Sequence, residues 1–365
     1  KEWAHPSDNF GSIYSYFSKN DNYKFNDFTN ALTKAYEIQG SLCLGTSLNK
    51  LGYDHVFYVK LASGSVFSYL VNNGDTSAVR RTVNNILLDG PTLRAYRHFP
   101  NVGKRKSWAA ADASRRGIEL SIISSHKDEI YESVQNEDKW GFESSFLDSS
   151  KIEFGKDLNN WVIQNILFKV LFPAEFHGQS AVEAAIKLSE EFNNNLNKFE
   201  KVNIYTHEPA VRIISNKEIL KNASDRDHSL EYMVAAALLY GDLKYEMYEE
   251  SFEGFENINN LRKKIFVSEQ PQFTKDYYEF SKRYISNSIE IVYNDNSTSE
   301  KITIENPIGH PSRREEAIPL LKDKFLRNVE SLFDTEKALE VWDKIINLEK
   351  DDDLNKFFNI LNEDE

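Results

Sequence analysis

One cysteine, Cys43, stands in 365 residues. That excludes a disulfide framework, and a lone thiol on a helical stretch suits a reducing compartment or an organelle matrix. No apolar run is long enough to cross a bilayer, so no transmembrane helix is expected. A phosphate-binding glycine loop, a glycine-rich dinucleotide turn, HExxH and CxxC are all missing, and with them the usual sequence support for nucleotide, zinc-protease and thiol-redox chemistry. Asp and Glu number 57 against 44 Lys and Arg, a net charge of −13. No basic stripe interleaved with aromatics offsets that balance, which argues against nucleic acid as the main partner. Cofactor-free acid–base chemistry, or simple binding of a small molecule, is what these absences leave.

What is present is the composition of a globular protein, 40% hydrophobic, 13% aromatic and 28% charged, at a length that favours two domains. Apolar residues at helical spacing mark Phe25–Leu44 (Phe28, Ala31, Leu32, Ala35, Ile38, Leu42), with Asp27 as a cap, and Thr76–Leu88, which ends at Asp89-Gly90-Pro91. Val56–Leu70 and Asp157–Val170 are apolar segments, and Ser107–Ser124 is an Ala- and Ile-rich helix. After Pro173 the pattern changes. Lys201–Glu208 alternates, with Val202, Ile204 and Thr206 on one side, and Ser288–Tyr293 and Lys301–Ile304 read as a hairpin. Helices return at Arg313–Leu332, Thr335–Leu348 and Asp352–Leu361. The fold class is therefore mainly α with an inserted α+β domain.

The stretch Asn222–Gly241 is the most element-like of all. A polar head, Ser224-Asp225-Arg226-Asp227-His228-Ser229, precedes the small apolar run Met233–Leu239, and Gly241 stops it. It reads either as a capped core helix or as an anion site in which Tyr232, one turn in, reaches a ligand. A second concentration, Leu93–Lys106, sets Arg94, Arg97, His98, Lys104, Arg105 and Lys106 in an otherwise acidic chain. It is either a solvated loop or a site for a small polyanion, whose carboxylates Arg forks match. Phe168–His177 places Lys169, Glu175 and His177 where the pattern changes character.

Several segments in order carry a resemblance. They are Trp3-Ala4-His5-Pro6-Ser7-Asp8-Asn9, Gly52-Tyr53-Asp54-His55-Val56, Asp89–Gly103 with Arg105–Ala110, Phe168–Ala185, Asp225-Arg226-Asp227-His228 with Tyr232-Met233, and Pro307–Phe325. Together they resemble the MmgE/PrpD family, on its 2-methylcitrate dehydratase branch. The resemblance implies a large helical domain built from both chain ends (residues 1–172 and 306–365), an α+β lid (residues 173–305) and an active site between them. It implies elimination of water from 2-methylcitrate, a tricarboxylate of propionate breakdown, with no cofactor and no metal. The family's active-site positions fall on His5, His55, Lys106, Lys169 and Tyr232, and Arg94, Arg97, Lys104, Glu175 and His177 become candidates for substrate binding. Which histidine is the base stays open. A related polycarboxylate lyase or isomerase and an inactive truncated relative are the competing readings.

A homodimer is the assembly the resemblance implies, in the cytoplasm of a bacterium or the matrix of a mitochondrion. The chain starts at Lys1 without Met and reaches the His-Pro motif at once. A processed or partial form, without the helical segment that the family carries upstream, is expected.

Overall fold

The apolar stripes of the first half become helices in the computed structural model, which describes all residues except 99, 127–129, 149 and 363–365, and only the backbone of 361 and 362. Phe99, in the basic segment, thus lies outside the described residues. Two units emerge, Lys1–Ile166 with Val329–Glu365, and Leu167–Asn328.

The first unit begins with a 3-10 turn, Pro6–Asn9, that runs directly into α1 (Phe10–Phe17). Then come α2 (Phe25–Gly45), α3 (Val56–Val71), α4 (Thr76–Asp89), α5 (Arg105–Ile123) and the short α6 (Phe142–Phe146) and α7 (Trp161–Asn165). Asp27 does serve the start of α2, accepting the Lys24 N–H at 2.8 Å from the third helical position. Asp75 caps α4 through the Ser77 N–H (2.8 Å), and Gly90 ends it at φ +70°. The apolar segment 56–70 is the buried helix α3, packed along α5. Val56 and Val59 share a cluster with Ala109 and Ala113, and Leu61 shares another with Leu120. The pairing advances in one direction, so α3 and α5 run parallel with their N-termini at the same end. A Cβ on Gly117 would lie 2.7 Å from the Lys60 carbonyl oxygen. Only glycine permits that approach.

The second unit holds α8 (Gln179–Asn194), β1 (Phe199–Thr206), α9 (Glu208–Ile214), α10 (Ala223–Arg226), α11 (Leu230–Tyr240), α12 (Phe255–Arg262), β2 (Ile265–Glu269), α13 (Pro271–Tyr278), β3 (Asn287–Tyr293), β4 (Ile302–Ile304) and α14 (Arg314–Val329), whose last residue belongs to the first unit. The sheet order is β2-β1-β3-β4. The β3–β4 hairpin is antiparallel as expected, with Asn287 opposite Ile304, and β1 buries Val202, Ile204 and Thr206. Strand β2, parallel to β1, had no sequence signal, because within it only Ile265 is buried.

Helix α11 is the core of this unit. Every residue from Leu230 to Leu238 is buried, each large apolar side chain contributing about 1.5–3 kcal/mol of transfer free energy. Its polar head divides into α10, capped by Asn222 (3.0 Å to the Asp225 N–H), and the Ser229 cap of α11 (3.3 Å to the Tyr232 N–H). Gly241 closes it at φ +63°.

After α14 the chain returns to the first unit with α15 (Thr335–Ile346) and α16 (Leu354–Asn362). Leu354, Phe357 and Phe358 complete the cluster of Ile13, Phe17, Phe28 and Phe67. Both chain ends thus build one core.

Candidate functional site

In the first unit the picked residues gather at the paired N-termini of α3 and α5. Two loops are stitched together there: the Asp54 N–H donates to the Thr92 carbonyl (2.8 Å), the Arg94 N–H donates to the Gly52 carbonyl (2.8 Å), and Tyr53 bridges Leu93. The stitch brings the Arg97 Nε to 2.5 Å from Asp54 Oδ2, the carboxylate buried and the guanidinium partly so. Asp54 Oδ1 accepts the Val56 N–H (3.2 Å) and lies 3.2 Å from His55 Nδ1. Burial works to raise the Asp54 pKa, but the His55 ring and the Arg97 guanidinium outweigh it and hold the carboxyl at about 2. Burial, helped by the charges of Arg97, His5 and Arg94, pulls His55 down to about 3 despite Asp54. His55 is therefore neutral at physiological pH. Nδ1 makes no hydrogen bond among the described residues, so the nearby carboxylate acts on it through its charge alone, which favours the proton on that nitrogen and leaves Nε2 with its lone pair.

His5, more exposed, directly precedes the Pro6–Asn9 turn, and its ring stands edge-on to His55 with centroids 6.2 Å apart. The turn is anchored from below: the Asn9 side chain donates to the Pro6 carbonyl (2.9 Å) and the Gln39 side chain (2.5 Å), and Ser63 donates to Asn9 Oδ1 (2.7 Å). Arg94 is buried and donates to Asn49 Oδ1 (2.9 Å), whose own N–H donates to Glu2 (2.9 Å). Lys104 precedes α5 and Lys106 lies in its first turn, while the Arg105 guanidinium covers Tyr96 and Trp108 at 5.4 and 4.5 Å. Two helix N-termini and these cations make a concentrated positive end, suited to carboxylates. Asp8 was not picked from the sequence. Burial pushes its carboxyl up to about 6, against Arg97 and with Asp54.

The second unit gathers Lys169, Glu175 and His177, joined by Asp227 and His228, but not Tyr232. Glu175 caps a 3-10 turn, accepting the His177 N–H at 2.8 Å, and its two oxygens lie 2.9 and 3.0 Å from His177 Nδ1. Burial opposes its ionisation, yet His177 and His228 hold it well below the usual carboxylate range. Lys169 has an exposed side chain whose ammonium is nevertheless desolvated enough to lower its pKa, against the pull of Glu175 and Asp227. His228 Nδ1 lies 2.8 Å from Asp227 Oδ1. Tyr232 is fully buried in the α11 core, where its hydroxyl donates to the Met247 carbonyl at 2.6 Å and burial raises its pKa to about 12. The core-helix reading of this stretch is the one that the fold realises.

Sequence reasoning passed over Asp54, Asp8, His207 and Tyr277. Asp54 stood inside a quoted motif, but its partner Arg97 is 43 residues away. Among the described residues no group of three or more His, Cys, Asp or Glu is arranged to hold a metal ion, and no helix is long and apolar enough to cross a membrane. A recess of about 240 Å³ lined by Lys60, Asp89, Thr92, Asp112 and Arg116 contains none of the picked residues. Its charges are paired internally, Asp89 taking both Lys60 (2.7 Å) and Arg116 (2.8 Å).

Two family models and several known proteins match the chain. The MmgE/PrpD N-terminal domain matches residues 1–155, and the MmgE/PrpD C-terminal domain matches residues 172–350. The 2-methylcitrate dehydratase of Escherichia coli K12 is 39% identical, over 93% of this chain and 73% of its own length. That of Salmonella typhimurium is 38% identical, over 94% and 73%. The mitochondrial 2-methylcitrate dehydratase of Yarrowia lipolytica is 36% identical, over 96% and 71%. Both halves of the chain match in order, and the chain belongs to the MmgE/PrpD family.

Proposed function

We propose that the chain is a 2-methylcitrate dehydratase, a hydro-lyase that removes water from 2-methylcitrate to give 2-methyl-cis-aconitate in propionate breakdown. The observation that carries the reading is a neutral, buried His55 held beside an ionised Asp54 at a positive end of the first unit. Its relatives with that activity match nearly all of the chain.

Elimination needs a base for the proton on the carbon next to a carboxylate and an acid for the departing hydroxyl. His55 is the base: its Nε2 lone pair takes the carbon-bound proton while Asp54 steadies the imidazolium that forms. His5, the more solvated ring, gives its proton to the hydroxyl as the carbon–oxygen bond breaks, so that water leaves. Arg94, Arg97, Lys104, Lys106 and Lys169 stabilise the substrate's carboxylates as charge develops. Tyr232, whose hydroxyl already serves the Met247 carbonyl, acts through the core that it fills rather than on the leaving group. No cofactor enters this scheme. A homodimer is the proposed assembly, and the compartment follows the source: cytoplasm in a bacterium, mitochondrial matrix in a eukaryote.

The test is turnover of 2-methylcitrate by the purified chain, followed by the ultraviolet absorbance of the new conjugated double bond, with and without a chelator. His55→Ala and His5→Ala are each expected to lower turnover by about 10²–10⁴-fold. A folded parent that leaves 2-methylcitrate untouched sinks the activity. Near-parental turnover in both variants sinks the assignment of roles.

A further inference from the structure

In the second unit the picked Glu175 and His177 form a chain of three functional groups with Tyr277, which comes from a separate segment. Glu175 and His177 lie on the turn before α8, and Tyr277 lies near the end of α13. An ionised carboxylate only accepts, so His177 Nδ1, at 2.9 and 3.0 Å from the Glu175 oxygens, carries a proton. In the neutral ring Nε2 is then bare, and the Tyr277 hydroxyl, 3.1 Å away, donates to it. The arrangement is braced on every side. Asn287 donates to the His177 carbonyl (2.9 Å) and to Ser180 (2.8 Å). The ring of fully buried His207 lies 4.7 Å from Tyr277 and 5.3 Å from His177 between centroids. Its Nδ1 accepts the Ala210 N–H at 3.2 Å, which puts its proton on Nε2, a buried atom without a hydrogen-bond partner among the described residues. Burying a donor without an acceptor is destabilising.

We propose that Tyr277 and His177 are positioning residues that orient the Glu175 carboxylate, and that Glu175 is the acceptor recognising a hydroxyl group on a polycarboxylate ligand. The inference rests on the proposed function, since it presumes a hydroxylated tricarboxylate. Among the described contacts Glu175 Oε2 takes the His177 N–H and shares Nδ1, while Oε1 meets only Nδ1 and keeps acceptor capacity. An anionic acceptor such as Oε1 is repulsive to carboxylates and attractive to a hydroxyl proton. It therefore separates ligands that differ only in the hydroxyl, because a site built to bond a hydroxyl discriminates strongly against the analogue lacking it.

The experiment is calorimetric binding of two probes to the full chain: citrate, and propane-1,2,3-tricarboxylate, which lacks the hydroxyl. Glu175→Gln is expected to weaken citrate about 10-fold or more and Tyr277→Phe about 3- to 10-fold, each leaving the analogue within about twofold. In parallel, ¹⁵N-histidine spectra, assigned with His177→Gln, are expected to show His177 protonated on Nδ1. Equal losses for both probes, or none, overturn the recognition, and a His177 protonated on Nε2 alone overturns the relay. A parent that binds neither probe overturns the proposed function together with the recognition, while the tautomer still decides the relay. Circular dichroism of each variant separates these outcomes from misfolding, and Tyr277→Phe, which keeps the ring, preserves the packing.

Discussion

The two ionisable clusters are held by different means. In the first unit Asp54 meets Arg97 across 43 residues of chain, and the pair exists only because two loops are stitched at the ends of parallel helices. In the second unit Glu175 meets His177 two residues on, through a turn that caps itself. A cluster made by distant segments depends on the packing of the whole unit, so breaking one partner strands the other. A cluster made locally depends on its turn, and its neighbours tune it.

The largest expected effect follows from that difference. Asp54→Ala leaves the partly buried Arg97 without its carboxylate and should cost about 3–5 kcal/mol, whereas Arg80→Ala, at an exposed pair with Glu132, should change stability by about 0.5 kcal/mol or less. Urea midpoints measure both, and equal shifts would erase the contrast.

A second, smaller effect is the pH dependence of stability. The folded pKa of His55, about 3, lies below its unfolded value. Its contribution is therefore complete above the unfolded pKa, near 6.5, and is lost as pH falls towards 3, about 3 kcal/mol of it by pH 4. Asp8, held up at about 6, has the opposite sign: its contribution is present at low pH and lost as pH rises through 6. The difference between the parent and His55→Gln, followed by urea unfolding from pH 7 to 4, isolates the histidine. The parent's excess stability should shrink as pH falls, and a constant difference would mean that His55 is not held neutral. The smallest effect belongs to the core of the second unit. Tyr232→Phe removes one buried hydrogen bond and should cost about 0.5–1.5 kcal/mol, with turnover within about threefold of the parent. A loss of about 10²-fold without a stability change would return Tyr232 to the reacting atoms.

Much of the fold was legible. Helices α2, α4, α5 and α11 were read within two residues at most ends, because their stripes, caps and stops are local properties. Strand β2 and helix α1 were not. The first presents one buried residue to a pattern search, and the second follows the His-Pro turn with no punctuation between them. The site divided in the same way. His5, His55, Arg94 and Arg97 stood out by residue type within quoted motifs. Asp54 did not, since a lone aspartate in a turn gives no sign of an arginine waiting elsewhere in the chain. His207 and Tyr277 were silent for the same reason.

The sequence by itself determined where most of the longer helices begin and end, where the pattern turns to strands, and the family to which the motifs belong, because periodicity, capping and motif order are written along the chain. Only the tertiary structure decided which titratable groups meet. Burial and proximity set the charge of His55, Asp54 and Glu175, and those are properties of distances in space. The same physics took Tyr232, conspicuous in the sequence, into the core, and brought Tyr277, inconspicuous there, to His177.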